Sequence, residues 1–373
     1  MKPLSLYIHI PFCKRKCSYC DFVSVAKPFS FQASYIDALI DEMKLQCEIS
    51  YSHKIDTIYI GGGTPSFLDE SLIEKLLSAV SDNFCTDHLR EYTFECNPES
   101  VTPQKLEILK KHGVNRLSFG LQTTDRSELE LLRRSHDFET FVHSFKLARD
   151  HGFKNISVDL MFALPSQTMS SLSKSLEDII SISPEHISCY SLIIEEATLM
   201  NKWVNEGKVA QVDDDTYVEM YRYIVSCLEK HGYRQYEISN FCKGGYESLH
   251  NSAYWLRQNY LGLGVAAHSM IDNKRFSNTD NITNYISCLD IANLPLKEGS
   301  LELLSANDII NENIFLGLRM NRGIKIKELP LEALDKVDGL VKNNLVEIEK
   351  DMIKLTQKGR EISNTIFVEL MTD

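Results

Sequence analysis

Strand-like and helix-like segments alternate from residue 5 to residue 192, and this alternation leaves the chain few folds. Strand-like runs fall at Ser5–Ile10, Asp56–Ile60, Glu91–Cys96, Arg116–Phe119, Ile156–Leu160 and His186–Leu192. They are rich in apolar, β-branched and aromatic residues. Between them lie helical stretches at 31–49, 69–83, 102–112, 138–150 and 169–182; the first sets Tyr35, Leu39, Met43 and Cys47 on helical spacing. Six such strands predict a parallel sheet of βα units, which can curl into a full or partial barrel. The unusual residues (Cys13, Gly61 to Thr64, Glu95, Gln122 and Asp159) all follow strands. Barrel active sites are built at the carboxyl ends of the strands, so one shared site is expected there.

The segment after the first strand reads Cys13-Lys-Arg-Lys-Cys17-Ser-Tyr-Cys20. Three thiols this close suit a short loop whose sulfurs meet one metal centre. Thiolates select zinc, Cu(I) or iron–sulfur clusters. A structural zinc normally takes four protein ligands, and the next thiol, Cys47, lies far along the chain. A 4Fe–4S cluster with one iron left to a small molecule is therefore the leading reading; a zinc loop is the other. Gly61-Gly62-Gly63-Thr64-Pro65 ends the second strand. Glycine lets backbone approach a ligand closely, so these amides and carbonyls are expected on a ligand's polar end, or else the run is a plain tight turn. The turn lacks the Lys-Ser/Thr of a phosphate loop. Glu95 and Asp159 end apolar strands, where a carboxylate needs a partner: an ammonium, ribose hydroxyls, or an internal ion pair.

The spacing Cys13-x-x-x-Cys17-x-x-Cys20, with Tyr19 just before the third thiol, resembles the cluster loop of the radical S-adenosylmethionine (SAM) superfamily. The likeness narrows with Phe94-Glu95-Cys96-Asn97-Pro98, Leu117-Ser118-Phe119-Gly120-Leu121-Gln122 and Asp159-Leu160-Met161-Phe162-Ala163-Leu164-Pro165. These resemble the oxygen-independent coproporphyrinogen III oxidases and their HemW-type haem-chaperone relatives, over nearly the whole chain. The resemblance implies a 4Fe–4S cluster on Cys13, Cys17 and Cys20. It implies SAM lined by Tyr7, Gly62, Gly63, Thr64, Glu95, Gln122, Arg134 and Asp159, beside Tyr19.

Two departures separate the branches. The oxidases look to carry a further cysteine two residues after the third; here Asp21 and Phe22 follow Cys20. They also carry a long N-terminal extension before the first strand, which here begins at Ser5. Both features match the chaperone branch, as does His250-Asn251-Ser-Ala-Tyr254-Trp255, which resembles a His-Asn-x-x-Tyr-Trp signature of that branch. Histidine is a common haem ligand, so haem contact at His250 is expected, against a structural histidine beside a core tryptophan. Cys242 is a weaker ligand candidate. The function this implies is haem binding and transfer to an unidentified acceptor protein. The alternative is radical decarboxylation of coproporphyrinogen.

Composition bounds the rest. The net charge of −12 argues against nucleic acid as the main partner. The ten cysteines are mostly isolated, unlike a disulfide scaffold. No signal peptide and no run of about 18 apolar residues is visible, so a reducing cytoplasm fits. The acidic run Asp213 to Asp215 reads as a solvated helix start. Three domains are expected: a barrel over 1–232, an irregular aromatic-rich cover for the open barrel end over 233–300, and a mostly helical, winged-helix-like module over 301–373.

Overall fold

A computed structural model describes residues 1–372. Strand β1 (Lys2–Ile10) leads through the thiol loop to helix α1 (Phe29–Gln46). Then come β2 (His53–Gly62), α2 (Glu70–Asn83), β3 (Glu91–Cys96), α3 (Pro103–Lys111), β4 (Arg116–Gln122), α4 (Arg126–Leu131), α5 (Phe138–Asp150), β5 (Asn155–Phe162), α6 (Met169–Ile182) and β6 (His186–Ser191). Strands β1 to β6 lie side by side in chain order, each parallel to the next. The helices start where the sequence supplies caps: Asp69, Thr102, Asp125, Asp137 and Thr168 each accept a backbone N–H of the first turn.

Successive side chains of a strand point to opposite faces, and here the faces differ in chemistry. Leu4, Leu6, Ile8 and Ile10 of β1, Ile58 and Ile60 of β2, and Leu117 and Phe119 of β4 join the apolar core beneath the helices. The alternate positions are polar and equally buried: Ser5, Thr57, Thr93, Arg116, Ser118, Ser157 and His186. Two pairs bond across the strands, Thr57 Oγ1 donating to Ser5 Oγ at 2.8 Å and Ser157 Oγ meeting His186 Nδ1 at 2.8 Å, while Thr93 Oγ1 and Arg116 Nε are buried without a partner. The partial barrel therefore has a polar lumen.

The stretch 233–300 is neither irregular nor a cover for the open end. After α7 (Leu199–Asn205) and α8 (Asp214–Lys230, capped by Asp213), β7 (Arg234–Glu237) and β8 (Asn240–Cys242) extend the sheet beyond β6. Helix α9 (Leu249–Trp255) follows. Then β9 (Asn259–Leu263) pairs parallel with β1, and β10 (His268–Ile271), β11 (Lys274–Ser277) and, after α10 (Ile282–Asp290), β12 (Glu302–Leu303) extend that edge. The sheet runs β12-β11-β10-β9-β1-β2-β3-β4-β5-β6-β8-β7. Those added strands are two to five residues long, so distant partners rather than local propensity make them.

The C-terminal part has its own core, including Leu318, Val337, Leu340, Ile353, Leu355 and Ile366. It comprises α11 (Ala306–Arg319), β13 (Ile324–Lys325), α12 (Leu331–Lys342), β14 (Val346–Glu349), β15 (Met352–Leu355), α13 (Gln357–Glu361) and α14 (Ser363–Leu370). Thr356 caps α13, and the chain breaks at Ile362 before α14. Arg319 ties this part to the barrel through the fully buried Glu237, 2.8 Å away, and Arg257 reaches Glu312 at 2.6 Å. Among the described residues no helix is long and apolar enough to cross a membrane.

Candidate functional site

The carboxyl ends of the strands surround a cavity of about 250 Å³. Its lining brings together Cys13, Cys17, Cys20, Tyr19, Gly62, Gly63, Thr64, Glu95, Gln122, Arg134 and Asp159. Residues from six strands or their following loops meet there because parallel pairing puts every strand's end on the same side. The thiol loop is pinned at both ends. Cys13 N–H and Val25 N–H bond Val25 and Pro11 carbonyls at 3.1 and 2.7 Å, and Ser18 N–H bonds Leu132 O at 3.2 Å. Arg15 adds a bond to Arg133 O at 2.7 Å.

The first two thiols each have a donor beside them. Thr64 Oγ1 approaches Cys13 Sγ and Arg134 Nη1 approaches Cys17 Sγ, both at 3.5 Å. Arg134 is fixed by Asn97 Oδ1 at 2.7 Å and by the Gly120 carbonyl, while its buried Nε has no partner. Burial pushes the Cys13 thiol up and the Cys20 thiol up to about 11, so a metal must displace their protons. Among the described residues no three Cys, His, Asp or Glu side chains converge on a point where one ion would sit. A closed zinc site needs that convergence. A cluster in which each thiolate meets a different iron does not. Gly63 leaves room for it: a Cβ there would lie 3.0 Å from Cys13 Sγ and 2.9 Å from the Phe12 carbonyl.

The glycine turn is differently used than expected. The Gly62 amide donates to Glu95 Oε2 at 3.0 Å, Gly63 to Ile10 O and Thr64 to Phe12 O, both at 2.8 Å. These amides are spent within the protein, so the turn offers a ligand acceptors. Gly62 has φ of +114°, and a Cβ there would strike His9. Glu95 also accepts from Tyr59 OH at 2.6 Å. Burial raises Glu95 to about 7, helped by the charge of Asp159; burial raises Asp159 to about 6, opposed by the charge of Arg116. Gln122, at φ of +76°, accepts from Tyr190 OH at 3.0 Å. The cavity thus combines three soft ligands, backbone acceptors, two carboxyls that favour a cationic or hydroxylic guest, and the cations Arg15, Lys16 and Arg134.

Two expected residues do not line it. Tyr7 is half-buried on the lumen face of β1 with its hydroxyl 2.9 Å from His9 Nδ1. His250 lies at the opposite, amino end of the barrel. Glu91, the first residue of β3, accepts the Leu249 and His250 amides at 2.9 and 3.0 Å and so seats α9 against the lumen. The His250 ring meets Thr57 Oγ1 through Nδ1 at 2.9 Å and Tyr254 OH through Nε2 at 3.0 Å. Thr57 gives its one proton to Ser5, so Nδ1 carries the imidazole proton and Nε2 accepts from Tyr254. No ring nitrogen is free for a haem iron. Burial holds His250 down at about 3, so it is neutral. Trp255 stacks on Arg319, 4.4 Å from ring to guanidinium, at the joint with the C-terminal part. Sequence reasoning also missed Tyr59, Asn97, Ser118 and Tyr190; the Asn97-Pro98 strand ending was the only local signal among them.

A curled parallel sheet with a three-thiol loop, a glycine turn and buried carboxyls at its carboxyl end defines a radical SAM protein. The Radical SAM superfamily model matches residues 7–179 and the HemN C-terminal domain model matches 304–362. The superfamily implies a 4Fe–4S cluster and SAM. The chain belongs, more narrowly, to the HemW haem-chaperone family. It is 36% identical to the heme chaperone HemW of Bacillus subtilis over 97% of this chain and 98% of that one. It is 34% identical to the heme chaperone HemW of Lactococcus lactis over 100% and 98%. Coproporphyrinogen III oxidase (HemN) of Escherichia coli, a radical SAM enzyme, matches 100% of this chain and 90% of its own with a TM-score of 0.85 at 23% identity, which shows a shared fold.

Proposed function

We propose that this chain is a cytoplasmic haem chaperone, binding haem beside a radical SAM centre and passing it to an acceptor protein. The observation that carries the reading is full-length similarity to proteins named heme chaperone HemW. Cys13, Cys17 and Cys20 would hold the cluster, and Gly62, Gly63, Thr64, Glu95, Gln122, Arg134 and Asp159 would hold SAM. A cluster there supplies one-electron chemistry and an open iron position. The chain's own contribution is electrostatic. Arg134 sets a positive charge beside Cys17. Glu95 and Asp159 favour a cationic guest, whose arrival would ionise them. Tyr59 and the Gly62 amide hold the Glu95 carboxylate in one orientation.

The second reading, a coproporphyrinogen oxidase, is favoured by the HemN-like fold. Against it stands Phe22, a cavity-lining and largely exposed side chain where the oxidases resemble one another in having cysteine. Haem titration of anaerobically reconstituted protein, assayed beside coproporphyrinogen turnover with SAM and a reductant, separates the two. Stoichiometric haem binding without turnover is expected. Turnover without haem binding would replace the chaperone reading with the oxidase.

A further inference from the structure

A second and larger concavity lies where the barrel meets the C-terminal part. It is a groove of about 610 Å³, within the range of roughly 300–1,000 Å³ of small-molecule sites. One wall carries the half-buried rings of Tyr217 and Tyr190; Phe162, 5.3 Å from the Tyr217 ring, and Tyr221 belong to the buried core. Ile193, 70% exposed, is an apolar rim residue with nothing over it. The facing wall carries two guanidinium groups. Arg319 is ion-paired to Glu237 through Nε and bonds Ser239 Oγ at 3.2 Å. Arg360 bonds the Leu355 carbonyl at 3.1 Å and leaves a buried Nε without a partner. Helix α14 begins on the same wall with no side-chain cap, so its first amides add positive potential. Of the acids on the lining, Glu361 is already clamped by Arg222 through two bonds of 2.7 Å, and Asp214 lies on the first turn of α8.

We propose that this interdomain groove is the tetrapyrrole site, taking the macrocycle against Tyr190, Tyr217 and Ile193 and its propionates at Arg360 and Arg319. The proposal rests on the haem-chaperone reading and says where the haem goes. A flat apolar ring with two carboxylates at one edge is the chemistry that pairs an aromatic wall with a guanidinium wall. The groove also touches the cluster cavity, since Tyr190 lines both and donates to Gln122 between them. The clefts beside the His250 segment, of about 350 and 340 Å³, lack such an aromatic wall and share Arg322 instead.

The test is haem titration of the full-length, cluster-loaded protein, following the Soret band. Three variants are compared with the parent: Val218→Trp, which fills the groove from α8; Arg360→Glu, which reverses its charge; and Arg322→Glu, which alters the clefts beside Trp255. Iron content reports that each variant has folded and kept the barrel. Val218→Trp and Arg360→Glu should weaken haem binding at least about tenfold, and Arg322→Glu should leave it unchanged. The dimethyl ester of haem should bind weakly to the parent and be indifferent to Arg360→Glu. Unchanged affinity in both groove variants, or loss in Arg322→Glu alone, would place the haem elsewhere and overturn the proposal while the chaperone reading stands. A parent protein that binds no haem at all would remove that reading, and the groove's assignment with it.

Discussion

The two ends of the barrel carry the two motifs that stand out in the sequence, and they are built in opposite ways. At the carboxyl end the thiol loop, the glycine turn and two carboxyls leave polar groups facing an open cavity. At the amino end the His250 segment turns its polar groups inward: Glu91 takes the helix amides and Thr57 and Tyr254 take the ring, while Trp255 Nε1 is buried without a partner. One end is short of partners, as a binding site is before its ligand arrives. At the other, the imidazole is complete without one. The two are joined through the lumen by Tyr59, whose ring lies 5.2 Å from His250 and whose hydroxyl holds Glu95. A motif of ligand-type residues therefore identifies a site only when the fold leaves those residues unsatisfied.

The largest expected difference between the ends is all or none. Cys17→Ser should abolish the brown cluster chromophore of anaerobically reconstituted protein, with iron falling from about four per chain towards background. His250→Ala should keep full iron and instead lose about 2 kcal/mol of stability, because Thr57 and Tyr254 lose a buried partner. Denaturant unfolding and iron analysis on the same samples read both effects. Full iron in Cys17→Ser would remove Cys17 from the ligand set, and iron loss in His250→Ala would erase the contrast.

This contrast also marks how far the sequence could be read. The six strands, their order and the gathering of the thiols, the glycine turn, Glu95 and Asp159 follow from local pattern plus the rule that parallel strands share a carboxyl end. The fate of His250 does not. Its partners, Thr57 and Glu91, lie more than 150 residues upstream, and nothing near position 250 announces them. Strands β7 to β12 escaped for the same reason: β9 exists because β1 supplies an edge, and Asn259-Tyr-Leu-Gly-Leu263 has no β-branched residue and a glycine inside it. The polar lumen was visible in principle. Ser5-Leu-Tyr-Ile-His-Ile10 and Glu91-Tyr-Thr-Phe-Glu-Cys96 alternate cleanly, whereas strands buried on both faces usually read as continuous apolar runs.

The next difference is in the sign of pH dependence. Glu95 and Asp159 titrate near 7 and 6 in the folded protein, above their ordinary values of 4.5 and 3.8. The folded chain therefore holds protons that the unfolded chain has released, and stability falls as pH rises from about 4 to 7. His250 is held near 3 against an ordinary 6.5. There the unfolded chain binds a proton that the folded chain refuses, and stability falls as pH drops from 6.5 towards 3. The contributions are on the order of 3 kcal/mol for each carboxyl and about 5 kcal/mol for His250 at their extremes, since a tenfold change in proton affinity is worth about 1.4 kcal/mol. In cluster-free protein Glu95→Gln should flatten the upper limb alone, and His250→Gln the lower limb alone. Parallel changes in both limbs would mean that the two ends titrate together through Tyr59.

The smallest effect is the most discriminating for His250. Tyr254→Phe removes only the hydroxyl that donates to Nε2, 3.0 Å away, and should cost about 1 kcal/mol. It leaves Thr57 holding Nδ1, so the ring keeps its place and Nε2 becomes the one imidazole nitrogen with a free lone pair. If haem sits in the interdomain groove, that lone pair stays remote from the iron and the Soret band of the haem complex should match the parent's. A Soret shift in Tyr254→Phe, with none in Val218→Trp, would show that the tyrosine hydroxyl normally shields Nε2 from the iron. The amino end of the barrel would then be a second ligand site, kept closed by a single hydrogen bond.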